Sequence, residues 1–299
     1  MYESFYLRAV SPDEPVGVWI RYTVEKGRGR RPTGSIWCTV FDARSGRPFM
    51  HRVSERKLQV PPGGWIEVDG AQLTPTGAEG ACGAARWSLR FASAEPEFRH
   101  LPRGWLYRAP LPRTKLTSPL PAAVFDGELE LADRDPIELR GWRGMVGHNW
   151  GSAHAERWIW LHGVGFSEDP DAWLDVALGR VKLAGRMTPW LANGALSVGG
   201  RRHRIGGLNT RGLEVAESAD GCVLRLVGEA GLSLRANVEV PQEAAARWRY
   251  ADAGHSGDRD VVNCSVSALK LTVELPGAEA PRLLSTTHGC AYELGRAIA

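Results

Sequence analysis

An all-β protein of two barrel-like domains in tandem, with little helix, is what this sequence predicts. Three observations lead there: apolar residues recur with a period of two along most of the chain, turn signals break that pattern at short intervals, and 299 residues exceed what one core usually needs. Residues 18–24 form a β-branched and aromatic run, and 35–41 repeat it. At 86–91 the alternation is clean, with Trp87, Leu89 and Phe91 on one side and Arg86, Ser88 and Arg90 on the other. Further strands are expected at 127–131, 157–164, 172–183, 195–198, 222–227, 232–240 and 261–275. Gly199-Gly200, Asp220-Gly221 and Pro62-Gly63-Gly64 supply turns between apolar runs. One short stretch, 242–248, has helical character, and the prolines at 110, 112, 119 and 121 predict that 111–121 crosses a barrel end without pairing.

The expected division is an N-terminal domain 1–143 and a C-terminal domain 144–299, with the change falling in the stretch 136–151. An internal echo accompanies it. Trp19-Ile20-Arg21, followed by a strand with Trp37, resembles Trp158-Ile159-Trp160, followed by a strand with Trp173.

Composition narrows the function. Lys and Arg number 37 against 34 Asp and Glu, a net charge of +3, and the densest basic run, 26–31, sits among glycines; a nucleic-acid partner is not expected. Twelve tryptophans against six tyrosines and seven phenylalanines imply large flat apolar surfaces. Five dispersed cysteines show no C-x-x-C spacing, which predicts neither a zinc site nor a redox pair. Met1 leads into Tyr2 and Glu3 with neither a basic leader nor an apolar one, and no apolar run has spanning length; a cytoplasmic protein is expected. Gly27-Arg28-Gly29 lacks the strand–turn–helix setting of a phosphate loop, so no nucleotide cofactor is expected.

The chemistry concentrates between 144 and 175. Gly147-His148-Asn149-Trp150-Gly151 is followed by His154, Glu156, Trp158, Trp160 and His162. Alternation along this strand places Glu156, Trp158, Trp160 and His162 on one face, an apolar wall with polar tips, and turns Ile159 and Leu161 to the other. On the next strand Asp175 is a carboxylate in a run that otherwise reads as buried. Two readings of Asp175 stand side by side. Burial would raise its pKa and make it a general acid toward a carbon–carbon double bond, with indole faces stabilising the cation and His148 as its partner. Pairing with Arg21 or Arg180 would instead lower its pKa and make it structural. The tryptophan stripe can likewise be a ligand wall or plain core, and His148 with Asn149 can serve catalysis or satisfy loop backbone. The gaps between His148, His154, Glu156 and His162 match no zinc signature, so no metal is expected. Asn263, mid-strand, is a candidate for the cavity lining.

The Gly-His-Asn-Trp-Gly block with Trp173-Leu174-Asp175 resembles the carotenoid 1,2-hydratase (hydroxyneurosporene synthase) family. Tocopherol cyclases and lipocalin-type Diels–Alderases are more distant relatives. Trp19-Ile20-Arg21-Tyr22, Pro189-Trp190 with Asn193-Gly194, and Gly289-Cys290-Ala291-Tyr292-Glu293 extend the likeness over nearly the whole chain. The resemblance implies two lipocalin-like domains and a ligand cavity lined by His148, Trp150, Trp173 and Asp175. The hydratases carry tyrosine where this chain has Trp173. Together these readings give a cofactor-independent hydratase or cyclase acting on an isoprenoid or polyene, with Asp175 and His148 catalytic and Trp150, Trp158, Trp160, His162, Trp173 and Asn263 binding substrate. A carrier of such a ligand and a pericyclase are the alternatives, and peripheral membrane contact would suit uptake of the substrate.

Overall fold

A computed structural model describes residues 1–27, 31–132, 134–183, 185–207, 210–250 and 257–298. Residues 28–30, in the basic run, lie outside the described residues. The first sheet comprises β1 (Tyr2–Val10), β2 (Val16–Glu25), β3 (Thr33–Asp42), β4 (Phe49–Arg56), β5 (Leu58–Gln59), β6 (Ile66–Val68), β7 (Ala71–Leu73), β8 (Gly77–Cys82), β9 (Ala85–Ala92), β10 (Phe98–Arg99), β11 (Thr114–Leu131) and β12 (Arg134–Gly151). Side by side they run β4-β3-β2-β1-β12-β11-β9-β8-β7-β6-β5, with β10 against β11. The sheet curls back on itself: the Tyr22 hydroxyl on β2 donates to the Gln72 carbonyl on β7 at 3.2 Å, and the Cys82 thiol reaches the Ile36 carbonyl on β3 at 3.4 Å.

The second sheet holds β13 (Arg157–Gly163), β14 (Trp173–Arg180), β17 (Leu191–Val198), β18 (Arg201–Gly206), β19 (Glu214–Ser218), β20 (Gly221–Val227), β21 (Ser233–Glu239), β22 (Ala246–Tyr250), β23 (Arg259–Glu274) and β24 (Arg282–Ala297). Its order is β18-β17-β14-β13-β24-β23-β21-β20-β19, with β22 on β23. The strands β15 (Lys182–Leu183) and β16 (Arg186–Met187) form a separate ribbon. The molecule is thus nearly all β, two curled antiparallel sheets in sequence, as the alternation predicted.

The expected 143/144 division falls inside β12, whose stretch 143–151 pairs along all of β1, Tyr2 opposite Gly151 and Val10 opposite Arg143. Two local expectations are corrected. The stretch 111–121 does pair, from Thr114 onward; Pro119 and Pro121 sit at register shifts of the β11–β12 ladder, where no amide donor is missed. At 242–248 only Gln242–Ala244 is helical, a single 3₁₀ turn, and Ala246–Tyr250 extends to pair with β23.

Each sheet buries its own apolar face. Phe5, Leu7, Ile20, Tyr22, Leu89 and Phe125 fill the first, and Ile159, Leu161, Leu174, Val176, Leu224 and Leu271 the second. The reverse faces of β1, β2 and β3 pack on the second sheet: Trp37 stands edge-on to Trp248 at 4.9 Å, and Tyr6 edge-on to Trp160 at 5.4 Å. The internal echo belongs to this seam. Ile20 and Ile159 point into their own cores, while Trp19, Arg21, Trp158 and Trp160 face the space between the sheets.

Candidate functional site

A cavity of about 610 Å³ opens on the seam between the two sheets. Its walls come from the reverse face of β1 and β2 (Tyr2, Tyr6, Trp19, Arg21), from β13 (Trp158, Trp160), from Glu293 on β24, from Tyr250 on β22, and from the segment 101–116. On β13, Trp158 and Trp160 line the cavity and Glu156 borders it, as alternation predicts; Leu161 is core, and Ile159, a core residue, also reaches the lining.

Asp175 is fully buried beside this cavity, with His162 directly opposite it on β13. The Trp160 Nε1–H donates to its Oδ1 at 3.1 Å, the Ser118 hydroxyl donates to Oδ2 at 2.5 Å, and His100 Nε2 lies 3.1 Å from Oδ2. Burial alone would push the Asp175 pKa up, but the His100 charge and hydrogen bond and the Ser118 hydroxyl outweigh it, leaving the carboxyl below the ordinary aspartate range. The other His100 nitrogen, Nδ1, faces the Asn193 carbonyl at 3.1 Å. His100 thus spans the seam from the Asn193 carbonyl to the Asp175 carboxylate, with the Ser118 hydroxyl also 3.2 Å from its Nε2. Asp175 pairs with neither Arg21 nor Arg180. Arg21 donates to the Ser4 hydroxyl at 2.7 Å and lies 4.3 Å over the Tyr250 ring, and Arg180 donates to the Thr188 carbonyl at 2.9 Å.

Glu293 is a second carboxylate on the same face of the sheet, and it opens onto the cavity. Cross-strand register sets it beside Trp160. It accepts from Trp158 Nε1 at 2.8 Å, from the Tyr250 hydroxyl at 3.1 Å and from Asn263 Nδ2 at 3.0 Å. Asn263, expected in the lining, therefore stands behind Glu293 and orients it. Between the carboxylates the Tyr6 phenol is held protonated: burial, then the charges of Asp175 and Glu293, drive its pKa well above the usual value. Tyr6 fits because Gly147 lies under its ring, where a Cβ would collide with it. That contact explains the first glycine of the 147–151 block.

The rest of the block is placed differently from expectation. His148 and Trp150 point away from the cavity. His148 stacks on Phe5 at 3.9 Å and on Trp150 at 4.5 Å, and its Nε2 bonds Glu3 at 3.2 Å; it does not meet Asp175. Period two makes the intervening residue, Asn149, the one that lines the cavity, with its buried Oδ1 unpartnered among the described residues. Trp173 shares Asp175's face of β14 but packs on Phe98 at 6.4 Å and under Arg202 at 5.0 Å, off the cavity. His162 is sealed beneath Trp160. It donates from Nε2 to the Pro121 carbonyl at 2.9 Å and accepts at Nδ1 from Arg8 at 2.9 Å, and burial with the Arg8 charge lowers its pKa to about 4.

The sequence reading missed His100, Ser118, Tyr6 and Glu293. Glu293 carried the same signal as Asp175, a carboxylate inside an apolar alternation (Cys290, Tyr292 and Leu294 on one side). His100 and Ser118 lie in proline-rich sequence with no period to place them. Among the described residues no three His, Cys, Asp or Glu side chains gather as metal ligands would, no helix is long and apolar enough to cross a membrane, and the five cysteines are free and buried.

No family model matches the chain. An uncharacterized protein of Mycobacterium tuberculosis, known from two strains, is 26% identical over 161 residues, covering 54% of this chain and 48% of that protein. The chain thus matches over about half the length of these curated relatives. Among solved structures, an ATTH-type protein from Nitrosomonas europaea matches with a TM-score of 0.55 at 13% identity, over 100% of this chain and 93% of that one. Kievitone hydratase from Nectria haematococca matches with a TM-score of 0.54 at 7% identity, over 99% and 88%. At these identities the likeness shows the fold alone. The chain has a tandem lipocalin-like fold, one that a hydratase also uses.

Proposed function

We propose that this chain is an enzyme of hydratase or cyclase type that holds an isoprenoid or polyene between its sheets and exchanges protons with it at Glu293. The observation that carries the reading is the setting of Glu293: a carboxyl open to an apolar cavity, beside two indoles, with neutral hydrogen-bond donors on its oxygens. Glu156, the other carboxylate on the lining, is instead drawn to Arg259 at 3.7 Å. In its protonated form Glu293 gives a proton to one carbon of a double bond. The cation left on the other carbon lies against Trp158 and Trp160, whose ring faces attract positive charge. Water or an internal nucleophile then adds, and the proton it sheds returns to the Glu293 carboxylate. One water is consumed in hydration and none in cyclisation, and no electrons change hands. Asp175 serves as a sealed anchor, orienting the Trp160 indole through its hydrogen bond and holding His100. Tyr6 supplies from β1 the phenol that the resemblance to carotenoid 1,2-hydratases places at position 173. That resemblance, and the fold shared with kievitone hydratase, support hydration of an isoprenoid double bond.

The test incubates the wild type and Glu293→Gln with a panel of isoprenoids and polyenes, including any that co-purify, in ¹⁸O-water, with products read by mass spectrometry. Wild type is expected to form a labelled alcohol or a cyclised isomer. Glu293→Gln should lose about a thousandfold in turnover with affinity within a few-fold. A tightly held ligand returned unchanged by the wild type would make the protein a carrier, and full turnover in Glu293→Gln would leave a pericyclase that works by folding the polyene.

A further inference from the structure

The mouth of the cavity is marked by Leu111 and Leu183, which line it and are each 48% exposed. Two segments form this rim, 101–115 from the first sheet's side and the β15–β16 ribbon from the second. They also present Trp105 at 63% exposure and Met187 at 37%. Side chains of this size are elsewhere turned inward or scattered singly, so four on the two segments that border one opening give those segments an apolar surface that water disfavours.

The same segments are charged in one sense only. Acids and bases nearly balance over the chain, yet residues 101–115 and 180–190 contain seven Lys or Arg and no Asp or Glu. Lys115 turns inward to the carbonyls of Ala109 and Pro112, and Arg180 bonds Thr188. The other five, Arg103, Arg108, Arg113, Lys182 and Arg186, are exposed and make no ion pair among the described residues. An exposed tryptophan, aliphatic tips and unpaired cations on one rim match the interfacial zone of a bilayer with anionic headgroups.

We infer that this rim docks on an anionic phospholipid surface and passes the apolar ligand between bilayer and cavity without exposing it to water. The inference rests on the cavity's taking a lipophilic ligand, not on turnover, so a non-catalytic carrier would dock in the same way and the two readings fail separately.

Flotation of the full chain with vesicles tests it. The wild type should float with phosphatidylcholine vesicles containing phosphatidylglycerol, be released by salt, and stay down with phosphatidylcholine alone. The double variant Trp105→Ser/Leu183→Ser should bind about tenfold more weakly or worse, and Arg103→Glu/Arg108→Glu should abolish flotation. All four positions are exposed, so both variants should keep the wild-type melting temperature. Failure of the wild type to float, or flotation undiminished in the variants, overturns the inference. So does a self-association in solution that both variants abolish, since a second copy would then cover the rim.

Discussion

His100 and His162 are both sealed between the sheets and both lie beside Asp175, yet their ring nitrogens meet different partners. His100 has a carbonyl at one nitrogen and a carboxylate at the other. His162 has a carbonyl at Nε2 but the Arg8 guanidinium at Nδ1, and one proton is all it can keep. Burial and the Arg8 charge together lower the His162 pKa. What faces each second nitrogen differs, and the sequence positions of the two residues give no hint of it.

The strongest way to break this comparison is to remove the anion. Asp175→Asn should cost about 3–5 kcal/mol of unfolding free energy in urea titrations, since it breaks the buried pair with His100 and disturbs the bonds from Ser118 and Trp160. A loss below about 1 kcal/mol would show that the His100–Asp175 pair adds little to stability.

Acid sharpens the other half. The His162 pKa falls from 6.5 to about 4 on folding, so below 6.5 the unfolded chain binds a proton that the folded one refuses. Stability is therefore full above pH 6.5 and drains as the pH drops toward 4, by about 3 kcal/mol over the window. His162→Gln, which can still donate to Pro121, should flatten that stretch of the stability profile. Asp175, with its lowered carboxyl, contributes above the ordinary aspartate range and is lost at more acid pH. The two groups thus separate along the pH axis.

His148 is the reference outside the seam. His148→Ala should change stability by less than about 1 kcal/mol, because its pair with Glu3 is partly solvated. The hydrogen bond from His148 is foremost in holding the Glu3 pKa near 2, so NMR titration of the variant should find Glu3 moving back toward 4.5.

The fold was legible because alternation survives in nearly every long strand, and the faces of Trp158, Trp160 and Asp175 followed from it. Two things were not legible. The block 147–151 lacked a neighbour to fix its parity, and only the pairing with β1 shows that Asn149, not His148 or Trp150, turns to the cavity. The partners of Asp175 come from proline-rich chain, where no period says which way a side chain points. The expected division point, 143/144, lies inside β12, whose residues 143–151 run between β1 and β11.

Because the cavity lies in the seam, every strand that walls it wears two different histories on its two sides. On β13, Leu161 answers to the packing of the second sheet, while Trp158 and Trp160 present their rings to the cavity and tie their Nε1–H groups to Glu293 and Asp175. Substitution on one side leaves the other where it was. A lineage built on this plan can exchange one ligand for another by altering alternate residues, with its folding apparatus untouched, and descendants of such a protein would agree in their odd-numbered or even-numbered positions and differ in the rest.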